Sequence, residues 1–117
     1  GMAQARGAAM LSPQAAPVLQ DAVRETMAQI DPAGYAQAVH MLGQGRLAHD
    51  LQSWSGPLLI ASGEADTVTT PAACDALVQA LPDAMATARI SLGPVGHACP
   101  LEAAGAVNPL LGLPVLA

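Results

Sequence analysis

Two stretches in the second half of the chain decide the fold that we predict: residues 57–71, PLLIASGEADTVTTP, and residues 93–97, GPVGH. The first is an apolar run of strand length that ends in a turn carrying Glu64 and Asp66. The second is a glycine-framed turn that carries His97 and follows a second strand-like segment. In open α/β sheets the carboxyl ends of parallel strands meet at one edge, where ligands bind. We therefore expect an acid and a histidine to lie together at that edge.

The residues between these turns predict a strand–helix–strand unit. The apolar run 57–61 is typical of a strand that is covered on both faces. Thr70-Pro71 is a favourable helix start, and helical spacing continues through Cys74, Leu77, Val78 and Leu81. Apolar residues at 86, 88, 90 and 92 then alternate with Thr87, Arg89 and Ser91, which predicts a half-exposed strand near a sheet edge. Such a crossover is expected to be right-handed.

The closing part of the chain predicts one more helix. It is expected over about 101–107, directly after His97, and Pro109 should disturb it. Residues 55–117 are accordingly predicted to be the strand–helix–strand–helix part of an α/β core.

The first half of the chain predicts short helices. Residues 1–11 are rich in Ala and Gly and are expected to be a loose N-terminus, with Gly1 the remnant of a cleaved tag. A helix is predicted to begin at Ser12-Pro13, and a second begins at Asp31-Pro32 and ends at Gly43 and Gly45. Their apolar stripes are Leu19, Ala22, Val23, Met27 and Ile30, then Tyr35, Ala38, Val39 and Leu42.

One or two further helical turns are expected between Leu47 and Trp54. We interpret residues 12–54 as a cap or lid over a larger body. Trp54 and Tyr35 are interpreted as packing residues, and Tyr35 has the alternative of facing a substrate.

The composition of the chain limits the classes of function that it can have. The chain has 117 residues, enough for one domain, of which 52% are hydrophobic and only 11% charged, with no Lys. A soluble domain is typically about 25% charged, so we expect apolar surface that another surface covers. The net charge is −5 and the four Arg are scattered, which argues against nucleic-acid binding. No apolar run approaches the ~20 residues of a membrane helix and no secretory leader opens the chain, so a cytoplasmic protein without membrane contact is predicted.

Neither a metal nor a cofactor is predicted. Cys74 and Cys99 form no Cys-x-x-Cys pair and are interpreted as reduced, partly buried thiols. Cys99 lies too close to His97 along the turn to be read as a nucleophile. His40 and His49 have no partner at the spacing of a zinc site.

The stretch 63–69 with Pro71, followed by Gly96-His97-Ala98, Leu101-Glu102 and Val107-Asn108, resembles the C-terminal half of an α/β-hydrolase. Within that superfamily it is similar to 3-oxoadipate enol-lactonase and related esterases and lactonases, over roughly residues 14–112. The resemblance implies a partial α/β-hydrolase fold: two cap-like helices, a βαβ unit and a closing helix.

The resemblance also implies that Asp66 is the acid and His97 the general base of a Ser–His–Asp triad. A histidine titrates near neutral pH and can relay a proton, and a carboxylate on its second ring nitrogen fixes its tautomer. The implied substrate is a small carboxylic ester or lactone. Two alternatives concern the acid: Glu64 could replace Asp66, or Asp66 could merely cap the local turn.

One triad member is missing from the sequence. No Gly-x-Ser-x-Gly occurs, and no serine has the strand-to-helix context of a nucleophile elbow. Without a nucleophile and oxyanion donors the base has nothing to activate, so we expect the chain to be inactive alone.

Two strands alone are also rarely stable, which predicts either a missing N-terminal half or a second copy that completes the sheet. The alternatives are a non-catalytic homo-oligomeric module with vestigial triad residues, and an enzyme completed by a separately encoded partner.

Overall fold

The protein has a mixed α/β fold with one small parallel sheet, seen in a computed structural model that describes residues 2–83 and 85–113, with side chains from residue 6 onward. The elements in chain order are α1 (Met2–Met10), α2 (Pro17–Ala28), α3 (Pro32–Gln44), α4 (Leu47–Asp50), a 3₁₀ turn (Leu51–Ser53), β1 (Leu58–Ser62), α5 (Pro71–Ala80), β2 (Thr87–Ser91), α6 (Cys99–Glu102) and α7 (Ala104–Leu110). Within the described residues, no helix has both the length and the apolar character needed to cross a membrane.

The predicted strand–helix–strand unit is confirmed. β1 pairs with β2 in parallel, with the register running from Leu58↔Thr87 to Ser62↔Ser91. α5 connects the two strands and contacts both. Its start is the predicted one, because the Thr70 hydroxyl accepts a hydrogen bond from the Ala73 amide at 3.2 Å and Pro71 occupies the first turn. The carboxyl ends of both strands therefore lie at the same edge of the sheet.

The expected burial of β1 on both faces is wrong. Leu59 is 44% exposed, and Ser62 is the one β1 residue that is buried. Within residues 2–83 and 85–113, the sheet consists of β1 and β2 alone, so each strand has a hydrogen-bonding neighbour on one edge. The covering layer that a continuous apolar strand requires is thus incomplete in this structure.

The alternation predicted for β2 does not separate a buried face from an exposed one. Ala88 is exposed, whereas Arg89 is partly buried. The reason is that the Arg89 guanidinium donates hydrogen bonds to Asp75 of α5 at 3.0 Å and to the Ser62 hydroxyl at 2.7 Å. These contacts bring the polar face of β2 toward α5.

The N-terminal segment differs from both predictions made for it. Residues 2–10, expected to be loose, form α1, which packs against α2. The helix expected at Ser12-Pro13 begins instead at Pro17, because Ser12 donates its amide and hydroxyl protons to Glu102 rather than capping a helix. Around this connection lies a small apolar cluster made of Leu11, Ala15 and Val23, with Met10, Leu19, Met27 and Ala98 packed against it.

The second predicted helix is present, but its apolar stripe is not covered. Asp31 caps α3 as expected, accepting a hydrogen bond from the Gly34 amide at 2.8 Å. No residue of α3 is buried, and Leu42 is 72% exposed. Tyr35 is the half-buried member of the stripe, and the Arg6 guanidinium donates to its hydroxyl. The further helical turns expected after Leu47 are confirmed as α4 and the 3₁₀ turn.

The packing role expected for Trp54 is wrong. Its side chain lies at the surface, 53% exposed, and contacts Gly56 of its own loop. The indole N–H donates to the Pro57 carbonyl at 3.3 Å. Trp54 therefore stabilises the entry to β1 locally and does not fill a core.

The closing helix forms in two pieces. The break lies at Ala103, with φ −135° and ψ 45°, between α6 and α7. Pro109, expected to disturb the helix, lies inside α7 near its end, so that expectation is wrong. Pro109 removes one backbone donor, and α7 ends at the next residue, Leu110, so little of the helix follows the proline. Gly1, Ala84 and residues 114–117 of the predicted domains lie outside the described residues.

Candidate active site

Hydrogen bonds between two turns at the carboxyl edge of the sheet build the site. In the turn after β1, the Glu64 amide donates to the Gly93 carbonyl at 2.9 Å, and the Ala65 amide donates to the Val95 carbonyl at 3.1 Å. Gly93, in the turn after β2, has a φ of +84°, a conformation that favours glycine. The two turns are thus held side by side, and each carries one predicted site residue.

Asp66 is buried and its carboxylate is fully engaged. The residue is 6% exposed. Its Oδ1 accepts hydrogen bonds from the Val68 amide at 2.8 Å and the Thr69 amide at 2.9 Å. Its Oδ2 accepts from the Thr69 hydroxyl at 2.9 Å and lies 3.1 Å from Nδ1 of His97. Asp66 therefore caps its own turn and also contacts the histidine, so capping does not exclude the contact, and its role as a triad acid stays a prediction.

The contacts of His97 determine which ring nitrogen carries the proton. An ionised carboxylate can only accept, so the 3.1 Å contact places a proton on Nδ1. Thr69 Oγ1 lies 3.2 Å from the same nitrogen and, having donated its own proton to Asp66, can only accept there. In the neutral ring the lone pair is then on Nε2, which makes no hydrogen bond with any described residue. The side chain is 34% exposed, so part of the imidazole ring reaches the surface.

The environment keeps Asp66 ionised. Burial acts to raise the pKa of this carboxyl, but the hydrogen bonds from His97, the Val68 and Thr69 amides and the Thr69 hydroxyl together outweigh it. The pKa of Asp66 therefore lies below its ordinary value. A carboxylate held in this state stabilises a positive charge that develops on the imidazole.

A second carboxylate supports the histidine turn. Oε2 of Glu102 accepts hydrogen bonds from the Ser12 amide at 2.9 Å and the Gly96 amide at 2.8 Å, and Oε1 accepts from the Ser12 hydroxyl at 2.5 Å. Burial raises the pKa of Glu102, yet these hydrogen bonds lower it by more, so its pKa is also below the ordinary value. The carboxylate bridges two parts of the chain that are far apart in sequence.

Sequence reasoning missed Thr69, Glu102 and Ser12 as residues of the site. Thr69 had a signal, since it stands three residues after the acid within one turn and can return a hydroxyl to it. Glu102 lay within the stretch that carries the family resemblance, but its partner at position 12 is 90 residues away along the chain. No local pattern could have paired them.

The alternative candidates do not join the pair. Glu64 accepts from the Ser91 hydroxyl at 2.9 Å, so it is not the partner of His97. Cys99 is a half-buried free thiol. Burial and the charges of Asp66 and Glu102 raise its pKa against the opposing effect of its own backbone hydrogen bond, so it stays protonated at neutral pH and is a poor nucleophile.

Other places that could hold a ligand lie apart from the pair. A cavity of about 420 Å³ lies at the other end of the sheet, beside the amino ends of the two strands. It is lined by Trp54, Pro57, Pro82 and Ala86. Within the part of the chain that the structure describes, no group of three His, Cys, Asp or Glu side chains is placed to hold a metal ion.

Comparisons with models of known protein families, with curated proteins and with solved structures give no match. The sequence motifs and the geometry of Asp66, Thr69, His97 and Glu102 are therefore the basis for assigning a function to this chain.

Proposed function

We propose that this chain supplies the acid and the general base of a Ser–His–Asp hydrolase of the α/β-hydrolase superfamily, acting on a small carboxylic ester or lactone. One observation carries the proposal: the buried Asp66 carboxylate lies 3.1 Å from Nδ1 of His97 and leaves Nε2 free to accept a proton. The location of the pair, at the carboxyl ends of two parallel strands, is where ligands bind in open α/β sheets.

The pair would act by relaying one proton. Nε2 of His97 takes the proton of a serine hydroxyl as its oxygen bonds to the acyl carbon of the substrate. Asp66 stabilises the imidazolium that forms. The imidazolium then gives the proton to the leaving oxygen as the bond between that oxygen and the acyl carbon breaks. In the second step Nε2 takes a proton from a water molecule as the water oxygen bonds to the acyl carbon, and it returns that proton to the serine oxygen as the bond between serine and the acyl carbon breaks and the acid leaves.

The serine in this scheme comes from polypeptide outside these 117 residues, since the sequence contains no Gly-x-Ser-x-Gly. The edge of β1 that no described residue pairs with is a place where a strand preceding such an elbow can add to the sheet. In a reducing compartment such as the cytoplasm, the two free thiols at Cys74 and Cys99 would stay reduced.

The experiment measures hydrolysis of p-nitrophenyl acetate by the purified chain, and by the chain produced together with the polypeptide encoded immediately upstream. The chain alone should be no faster than free imidazole at the same concentration. The combined protein should turn over the ester, and His97→Ala should abolish that turnover. Asp66→Asn should lower it by about 10⁴-fold, the cost of a wrong histidine tautomer in a serine protease triad.

His40→Ala is the matched control, because His40 is an exposed histidine of α3. It should leave turnover unchanged. Turnover by the combined protein that survives His97→Ala would overturn the proposal. Strong turnover by the chain alone that depends on His97 would overturn the claim that the nucleophile lies elsewhere.

The alternative function is a non-catalytic homo-oligomeric module. The observation that favours it is the exposure of apolar side chains on α3 and β1, at 66% for Met41, 72% for Leu42 and 44% for Leu59. Light scattering after size exclusion tests it: a stable dimer without any upstream polypeptide supports the module, and a monomer at micromolar concentration contradicts it.

A further inference from the structure

We propose that Glu102 is a positioning residue for His97, acting through the backbone on both sides of the histidine. The inference rests on the proposed function, because it concerns the same general base. It assigns a task to a carboxylate that lies outside the Ser–His–Asp triad.

The residues that flank His97 are both fixed to the segment Met10–Ser12. On one side, the Gly96 amide donates to Glu102 Oε2, the oxygen that also accepts from the Ser12 amide. On the other side, the Ala98 amide donates directly to the Met10 carbonyl at 2.6 Å. His97 is therefore held between two attachments to one short segment, and Glu102 provides the first of them.

The packing around Gly96 shows how closely the two segments approach. Gly96 is buried, and a Cβ at this position would lie 2.5 Å from the Leu11 carbonyl carbon. Ser12 is 5% exposed. In this confined contact three donors converge on one carboxylate: the Ser12 amide, the Ser12 hydroxyl and the Gly96 amide. Losing the carboxylate leaves all three without their acceptor, so Gly96 loses its attachment to the Ser12 segment, while Gly93 and Val95 keep their hydrogen bonds to the acid turn.

The consequence for His97 is geometric. The ring meets Asp66 through Nδ1 only while the backbone of residues 96–98 keeps its place beside the acid turn. Glu102 makes no hydrogen bond to the ring, and its contact next to His97 in sequence is the hydrogen bond from the Gly96 amide. A displacement of about 1 Å at a reacting group is enough to cost about 10²-fold in rate.

Substitutions at position 102 can distinguish the hydrogen bonds that Glu102 accepts from its negative charge. A glutamine at position 102 can place its amide oxygen at the Oε2 position, where it accepts from both backbone amides. Its NH₂ group then faces the Ser12 hydroxyl, which can rotate and accept. Glu102→Gln should therefore preserve the attachment, whereas Glu102→Ala and the shorter Glu102→Asp should break it.

The experiment observes the His97 ring by ¹H and ¹⁵N NMR in the chain alone. A proton shared by Nδ1 and a carboxylate gives a separate, far-downfield resonance, and the ring ¹⁵N shifts report which nitrogen is protonated. We expect the resonance in the wild type and in Glu102→Gln, and its loss with a mixture of tautomers in Glu102→Ala and Glu102→Asp. The matched control is Glu64→Ala, which removes a carboxylate of the neighbouring turn that bonds to Ser91.

Each outcome of the NMR experiment supports or overturns the inference. An unchanged resonance in a folded Glu102→Ala overturns it. If circular dichroism shows that Glu102→Ala does not fold, an unchanged resonance in Glu102→Asp overturns it instead. Loss of the resonance in Glu102→Gln as well would overturn the backbone attachment as its cause. A wild type without the resonance overturns the Asp66–His97 pair itself and so the proposed function.

Discussion

In the turn after β1, Asp66 is 6% exposed and each of its carboxylate oxygens takes part in two hydrogen bonds, whereas α3 buries no side chain and leaves Leu42 72% exposed. Both segments have the sequence features of ordered structure, and both form as predicted. They differ in what surrounds them. The partners of Asp66 all come from the turn after β1 and the histidine turn, while the partners that the stripe of α3 requires are absent from the residues that the structure describes.

The site and α3 are therefore stabilised by different means. Burying a Leu side chain stabilises a fold by roughly 1.5–3 kcal/mol, and α3 does not obtain that contribution. The site instead depends on polar contacts that are short in space, such as the Glu102 bridge to Ser12 and Gly96. Asp66 and His97 are therefore held in place here, although the residues that the structure describes leave most of the stripe of α3 exposed.

Gly96→Ala should destabilise the protein most, and it tests how tightly the site region is packed. A Cβ at Gly96 would lie 2.5 Å from the carbonyl carbon of Leu11, so backbone must move. We expect a loss of about 1–3 kcal/mol in the free energy of unfolding, measured by urea denaturation. Gly105→Ala in α7 is the control, since a Cβ there meets open space, and it should be neutral or stabilising by up to about 1 kcal/mol. Equal effects of the two exchanges would contradict the close packing inferred for Gly96.

The sequence was sufficient to predict the elements whose signals are local. The caps at Asp31 and Thr70, the parallel βαβ unit and the approach of Asp66 to His97 follow from turn residues and from the direction of parallel strands. The family resemblance and the hydrolase chemistry stay predictions. They rest on motifs that the geometry of the pair supports.

The sequence was not sufficient where long-range contacts decide the structure. Ser12 has the pattern of a helix start, but Glu102, 90 residues away, takes up its donors, and α2 begins later. Arg89 has the pattern of a solvent-facing strand residue, but Asp75 and Ser62 bind its guanidinium. In each case a charged group found a partner that no local periodicity encodes.

An intermediate effect is expected from acid, which should weaken the site through its two hydrogen-bonded carboxylates, Asp66 and Glu102. The pKa values of Asp66 and Glu102 are lowered in the folded chain. The unfolded chain therefore binds more protons, and stability is lost as pH falls from the ordinary carboxyl range, near 4, through the lowered values. Each carboxyl contributes at most about 1.4 kcal/mol per pH unit to this slope.

Urea unfolding at a series of acidic pH values measures that slope. Asp66→Asn and Glu102→Gln should each make it shallower than in the wild type. Asp21→Asn, on the exposed face of α2, serves as the control and should keep the wild-type slope. A slope that is the same in all four proteins would show that neither site carboxyl is held in its ionised form by folding.

The smallest effect is expected from Leu42→Gln on α3. Because Leu42 is 72% exposed, the exchange should change the free energy of unfolding of the monomeric chain by no more than about 0.5 kcal/mol. Leu81→Gln is the matched exchange at a residue 6% exposed, and it should cost about 2 kcal/mol or more. Urea denaturation at low protein concentration compares the two.

If Leu42→Gln lowers the free energy of unfolding as much as Leu81→Gln does, then the chain covers the stripe of α3 by itself, and the contrast between that helix and the acid turn disappears. If it costs little but weakens association with a second copy or with the upstream polypeptide, the stripe is the surface that the remaining part of the fold covers.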